Sequence, residues 1–403
     1  MIRNRIALMQ CGRLACALIV AVPVWACRVD KPVVQGSEVA YNVRDSSGVR
    51  IVESSVEALQ GKLPWVVGEA PEFELGGSEG SVGAPFHRIA GIAALGEGGF
   101  AVVNGGSSEI RWFSGSGDYL RSFGSSGAGP GEFRDPLLVP QFKADSLLIF
   151  DKSRRTFTRV AADGSGARAI PRDIRGFGGT PQAAFGEHAL FSSAGEMLCP
   201  ENQGCNVRHF LRSIDLNGPK GDTLAVRTTR WLIWQKSGMG TFLGSPLNPR
   251  SMATAGPQGL VLEGFPAFEL RQFNAEGRLA GIFRVQAERE PPEIAVEKYV
   301  NSLSDPELGR EMFGLLGLPD SVPPFQAVLV DEEGWYWAEL FASEQNGGGT
   351  WLVFDPQGRA QGLVELPPGL EVHAVGEDFI LGTWKDELGV EYVRRYSLDR
   401  DIS

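Results

Sequence analysis

A glycine-rich stretch occurs twice in this chain, and the interval between its copies constrains the fold more than any other feature. Leu75-Gly76-Gly77-Ser78-Glu79-Gly80-Ser81-Val82-Gly83-Ala84-Pro85-Phe86 is echoed 48 residues later by Phe123-Gly124-Ser125-Ser126-Gly127-Ala128-Gly129-Pro130-Gly131-Glu132-Phe133. That interval is about the length of one four-stranded β-blade, so the repeat signals a radial array of small sheets. Such arrays carry many unrelated functions, and the fold alone does not name one.

Two further signals count the units. A turn followed by an apolar run occurs at Phe100–Val103, Leu147–Phe150, Ala189–Phe191, Leu260–Leu262, Trp335–Trp337 and Phe379–Leu381. Short continuous apolar runs of this kind read as strands buried on both faces. An apolar residue followed four positions on by glycine occurs at Phe113/Gly117, Val160/Gly164, Ile214/Gly218, Phe273/Gly277 and Phe354/Gly358, with Tyr396/Arg400 as a sixth, glycine-less copy. Glycine supplies the positive φ of a hairpin turn. Both counts predict an all-β, six-bladed propeller over residues 48–403, and radial closure manages its sheet edges. The sixth unit runs out after three strands. Phe73-Glu74-Leu75 is therefore expected to complete the last blade, with Val49–Val52 adding to the same edge. A helical hairpin is expected as an insertion at about 291–323. There Val296, Tyr299, Val300 and Leu303 share one helical face, Ser304 and Glu307 suggest a capping box, and Leu308, Met312, Leu315 and Leu316 continue an apolar stripe.

The N-terminal residues read as an export signal. Arg3, Arg5 and Arg13 precede the apolar run Leu14–Trp25, too short to span a bilayer, and residues 1–26 are expected to be removed. Val24-Trp25-Ala26 before Cys27 is similar to a bacterial lipobox, which would make Cys27 a lipidated N-terminus; ordinary cleavage after Ala26 is the alternative. Residues 27–47 then form a polar tether in the cell envelope, and a soluble periplasmic or secreted form follows if no lipid is attached. Losing the signal moves the net charge from −11 to −14, and so acidic a domain is a poor nucleic-acid binder. Cys199 and Cys205 remain as a pair enclosing Pro200–Gly204, an expected disulfide in an oxidising compartment.

The run Phe123-Gly124-x-x-Gly127-x-Gly129-Pro130-Gly131-Glu132-Phe133, continued by Leu148–Phe157 and Asp163-Gly164, resembles the repeat of NHL-type propellers. More broadly, residues 48–400 resemble the exported six-bladed propeller lipoproteins of Bacteroidota and Gemmatimonadota, which share the Gly-Val-Arg-Ile-Val opening (Gly48–Val52 here). The resemblance implies a six-bladed ring, and it lends no catalytic residues.

Candidate ligand-binding positions follow from the expected geometry. The second strands end in Asn104, Asp151, Ser192, Glu263, Glu339 and Thr383. Each is expected to accept backbone N–H bonds in its own turn. The alternative is an acidic ring at the channel, suited to a divalent cation such as Ca²⁺ or Zn²⁺. Trp231, Trp234 and Phe242 lie in a long glycine-rich connection and are candidate anchors. His373 and His87 flank first strands, where an imidazole could bind or transfer a proton. Arg111, Arg212, Arg271 and Arg394 recur in third strands and are expected to pair between blades. The expected function is a non-catalytic, membrane-tethered, monomeric module that binds an envelope protein, a peptide or a glycan. A metal-dependent propeller lactonase or lyase is the alternative. Replacing Cys27 with Ser is expected to move the protein from the membrane to the soluble fraction. Continued membrane association of that variant in a fractionation assay refutes lipid anchoring.

Overall fold

The computed structural model describes residues 39–400, apart from 78–84, 143–144, 172–173, 175–177, 200–204, 219–220, 237–238, 249–252, 264–266 and 343–348. The described residues are almost all β, in six sheets of four to six strands each, antiparallel but for one parallel pairing. The sheets begin with the strands Ile89–Ala94, Pro136–Val139, Thr180–Phe185, Ala253–Gly256, Phe325–Val330 and Glu371–Val375. Each of these touches the next, and the last touches the first, so the six inner strands form a cycle around one axis. The arrangement is consistent with a β-propeller. Each second strand coincides with one of the six apolar runs in the sequence; Phe100–Asn104 and Ser146–Asp151 are almost wholly buried.

The sixth sheet is finished by the N-terminal segment. The third strand of that sheet, Glu391–Asp399, pairs antiparallel with Phe73–Gly76, in register from Tyr392↔Gly76 to Arg395↔Phe73. Val66 and Val67 extend the same pairing at Asp399 and Leu398. Val49–Val52 does not join this edge. The hairpin Tyr41–Ser46/Val49–Ser54 lies on the fourth sheet, where residues 50–54 run parallel to Gly281–Val285. The strand beginning at Tyr41 also takes up the last part of the segment expected to be a tether. The alternating apolar side chains of this hairpin explain the placement: Val52 is buried with Val261, Leu270 and Phe283.

The insertion forms two helices, α1 (Pro292–Ser302) and α2 (Pro306–Leu316). Asp305, not Ser304, caps α2; its carboxylate accepts from the amides of Glu307 and Leu308. Pro306 fixes the first helical turn, which leaves Asp305 as the capping position. The buried stripe is Gly309, Phe313 and Leu316, whereas Leu308 and Leu315 are exposed. Together with Ala295 and Val300, Phe313 packs on Leu247 and Val322.

The third sheet departs from the expected pattern. Trp231, Trp234 and Phe242, expected in a connection, lie in a long fourth strand (Gly221–Lys236) and a fifth (Met239–Gly244). The threonine- and tryptophan-rich run from 228 to 234 favours extended backbone.

Glycine at the seam is required by space as well as conformation. Gly76 has φ +132°, and a Cβ there would stand 2.6 Å from the Glu391 carbonyl oxygen. Replacing Gly76 with Val is expected to cost about 2–4 kcal/mol, combining backbone strain with displacement of a ladder strand. A clearly lowered midpoint in chemical denaturation checks this; an unchanged midpoint refutes it.

Candidate functional site

The six inner strands line an open cavity of about 840 Å³, and every sheet contributes to its wall. Sheets one and two supply an apolar side: Ile89, Ile92, Leu137, Leu138 and Val139. Here the strands approach so closely that a Cβ on Gly91 would stand 2.6 Å from Cβ of Leu138. Polar groups enter from the other sheets: Thr180 and Gln182 from the third, Thr254 from the fourth, Asp331 and Glu332 from the fifth, Glu371 and His373 from the sixth. Asp145, Ser146 and Gln141 add polarity from the second. No residue of α1 or α2 lines the cavity.

Irregularities in the inner strands place two of these side chains. The ladder slips between Pro181 and Ala183 and between Val372 and Ala374, which leaves Gln182 and His373 as the unpaired residues. A bulge of this kind releases one residue from the pleat and turns its side chain away from the regular alternation. Comparable slips occur at Gln326 in the fifth sheet and between Ile89 and Ile92 in the first. The Nε2 atom of His373 lies 3.2 Å from Oγ1 of Thr383, which in turn donates toward Glu371 over 3.5 Å. Glu371 and Thr383 are cross-strand neighbours, so the sheet itself holds the chain Glu371–Thr383–His373 together.

The imidazole pKa of His373 is pushed below its ordinary value, because protein surrounds the channel wall and disfavours the cation; the nearby Glu371 carboxylate opposes the shift. His373 keeps partial surface exposure and is still desolvated by the protein around it.

The strand-end residues, for which an acidic ring is only the alternative, are engaged in local hydrogen bonds. Oδ1 of Asn104 accepts from the His87 amide, and its Nδ2 donates to Ser107. The carboxylate of Asp151 accepts from the amides of Arg134 and Arg154, and Glu339 from Gly349. Thr383 faces His373, and none of the six strand-end residues lines the cavity. The side chain of Glu263 falls outside the described ones; its backbone pairs with Leu270. Among the described residues, no group of three or more His, Cys, Asp or Glu could hold a metal ion. Asp331 reaches the channel wall but is committed: its oxygens accept from the amides of Glu333 and Trp335, from Nε1 of Trp337 and from Arg400.

Trp231 folds onto its own hairpin, donating Nε1 to Oγ1 of Thr229, which also meets Nε2 of His209. Trp234 pairs through its backbone with Thr241, and its side chain and that of Phe242 fall outside the described ones. Cys199 and Cys205 are joined as a disulfide between the second and third strands of the same sheet. The described ion pairs of the third-strand arginines fall within their own sheets, not between blades as expected. Arg111 pairs with Glu109 and Arg271 with Glu269 on their own strands, Arg394 pairs with Glu74 inside the sixth sheet, and Arg212 covers Phe210. The reason is local: alternation puts residues i and i+2 of one strand on the same face. Contacts between sheets use other groups, among them Arg88–Asp135, Arg159–Glu187 and the Gln272–Tyr336 hydrogen bond. The phenol of Tyr336 is pushed up to about 12 by burial.

Sequence reading missed Gln182, Glu371 and the apolar channel wall. A bulge leaves no fixed residue signature, so only the ladder register reveals which side chain it turns inward.

No family model matches this chain, and no curated protein matches it. Solved structures similar to it include a putative exported protein from Bacteroides fragilis (10% identity, TM-score 0.43, 84% of this chain and 96% of that one). A member of the duf4221 family from Bacteroides vulgatus is similar at 9% identity and TM-score 0.45, over 84% of this chain and 99% of that one. Virginiamycin B lyase from Staphylococcus aureus is similar at 10% identity and TM-score 0.36, over 83% and 99%. At such values none of these likenesses carries chemistry to this chain.

The lowered pKa of His373 makes stability depend on pH. An unfolded histidine titrates near 6.5. The folded protein takes up that proton less readily, so protonation favours the unfolded chain, and stability is lost as pH falls below about 6.5. His209, also shifted downward by burial, acts in the same direction. The melting temperature is expected to drop between pH 7.5 and 5.5, and less so in His373→Gln. An equal drop in both proteins refutes the assignment to His373.

Proposed function

We propose that the six sheets are the blades of one closed propeller, that the protein is exported, and that it binds a small organic or peptide-like ligand in its channel. The observation that carries this reading is the cavity: about 840 Å³, walled by all six inner strands, with bulges that turn Gln182 and His373 into it. Ligand sites of roughly 300–1,000 Å³ with a mostly apolar wall and a few placed polar groups are the common pattern.

The wall also narrows the ligand class. Its one described aromatic ring is Phe142, so there is little surface for stacking a sugar ring, and a glycan is the weaker candidate. A channel-bound divalent cation is not part of the proposal, because Asn104, Asp151 and Glu339 already serve backbone amides. Export rests on the basic and apolar N-terminal run before Cys27 and agrees with the Cys199–Cys205 disulfide.

The test uses N-phenyl-1-naphthylamine, an uncharged probe whose fluorescence rises in apolar sites. The wild-type domain is expected to bind one equivalent. Gln182→Trp, which fills the channel, is expected to abolish that binding with the melting temperature unchanged. No fluorescence gain in the wild type, or an equal gain in the variant, overturns the channel as the site.

A further inference from the structure

The charges on the channel wall are one-sided. Among its described residues the cavity has no Lys or Arg, while Asp145, Asp331, Glu332 and Glu371 all reach it. Asp331 is neutralised by Arg400 at 2.8 Å, with Arg400 also paired to Glu333. The carboxylate of Glu371 is held differently: its described partner is the uncharged hydroxyl of Thr383. The neighbouring imidazole disfavours its own cationic form and therefore leaves the negative charge of Glu371 uncompensated near neutral pH. Around the cycle the sixth sheet lies opposite the third, so Glu371 and His373 face the wall that bears Thr180 and Gln182. The apolar wall from sheets one and two lies to one side of both.

The geometry points to an organic cation as the ligand: an amine-type head group held by Glu371 between the sixth and third sheets, with an apolar body against the partly exposed Ile89 and Leu137. This inference rests on the channel being the binding site. Three features fit one such molecule together. A cleft lined by charge of one sign concentrates the field of its carboxylates. A neutral imidazole and the Gln182 amide can accept N–H bonds from the head group without repelling it. The aliphatic wall takes an apolar body without demanding a polar partner. An anionic ligand would meet the Glu371 carboxylate and no described basic side chain in the lining.

Three probes of similar shape separate the possibilities by calorimetry at pH 7.5 and low salt: 2-phenylethylamine, 2-phenylethanol and 3-phenylpropionate. The amine is expected to bind at least tenfold more tightly than the other two. Glu371→Gln is expected to weaken the amine at least tenfold while leaving N-phenyl-1-naphthylamine binding intact. Equal binding of the alcohol or the carboxylate, absence of amine binding, or an amine affinity unchanged in Glu371→Gln overturns the cation inference. If the uncharged probe still binds in those cases, the channel reading stands and only the ligand class falls. If it does not bind either, both fall.

Discussion

The pairing of the two chain ends within one sheet is the interaction on which the rest of this structure depends. The strand Glu391–Asp399 has the N-terminal segment as its outer partner, so the sixth sheet exists as a four-layered unit only when both ends of the fold meet. Bringing together residues 320 apart costs on the order of 5 kcal/mol in loop-closure entropy. Several contacts offset that cost. Phe73 stacks on Phe100 of the first sheet, Arg394 and Arg395 pair with Glu74 and Glu72, and Arg395 also reaches the carbonyls of Gly98 and Gly115. Trp65 packs against Trp335 and Trp337 with Arg400 over its ring. The seam is therefore tied to the first sheet on one side and to the fifth on the other.

Because the inner strands touch in a cycle, the channel inherits its dimensions from that seam. Every wall residue sits on a strand whose neighbours on both sides fix its position. Local exceptions, the bulges in four inner strands, then decide which side chains face the axis. In the sixth sheet the exception exposes His373 beside Glu371, and in the third it exposes Gln182. The same fold could carry a wholly apolar channel; the slipped register makes this one polar on two facing sides.

The acidic residues most visible in the chain mainly build turns. Asp331 and Asp355 each accept two backbone amides in their own loops, as does Asp386. Glu132 of the repeated glycine loop folds back onto the Gly129 amide, which explains the glycines around it: a Cβ on Gly127 would overlap its carboxylate. The loop that announces the fold is thus a self-contained crossing between sheets. It joins the first sheet to the second, and its first copy leads from the seam strand toward the first sheet.

Much of this architecture is legible in the sequence, because it depends on short-range rules. Six apolar runs with turn residues before them mark six second strands, and the glycines at fixed offsets mark the hairpins that follow. The missing partner of the last sheet follows from counting strands. The destination of Val49–Val52, the fifth strand at Met239–Gly244 and the cap at Asp305 were set by packing, where one competing edge or one proline outweighs a local pattern. The channel lay further out of reach. His373 stood out as a residue type, but its neighbours Glu371 and Thr383, its facing partner Gln182 and the apolar wall come from different sheets. By itself the sequence determined the repeating unit and the strands, since alternation and turn chemistry act within a few residues. The tertiary structure alone decided what lines the axis, since that depends on ladder register and on strands as distant in sequence as Ile89 and His373 meeting around one cavity.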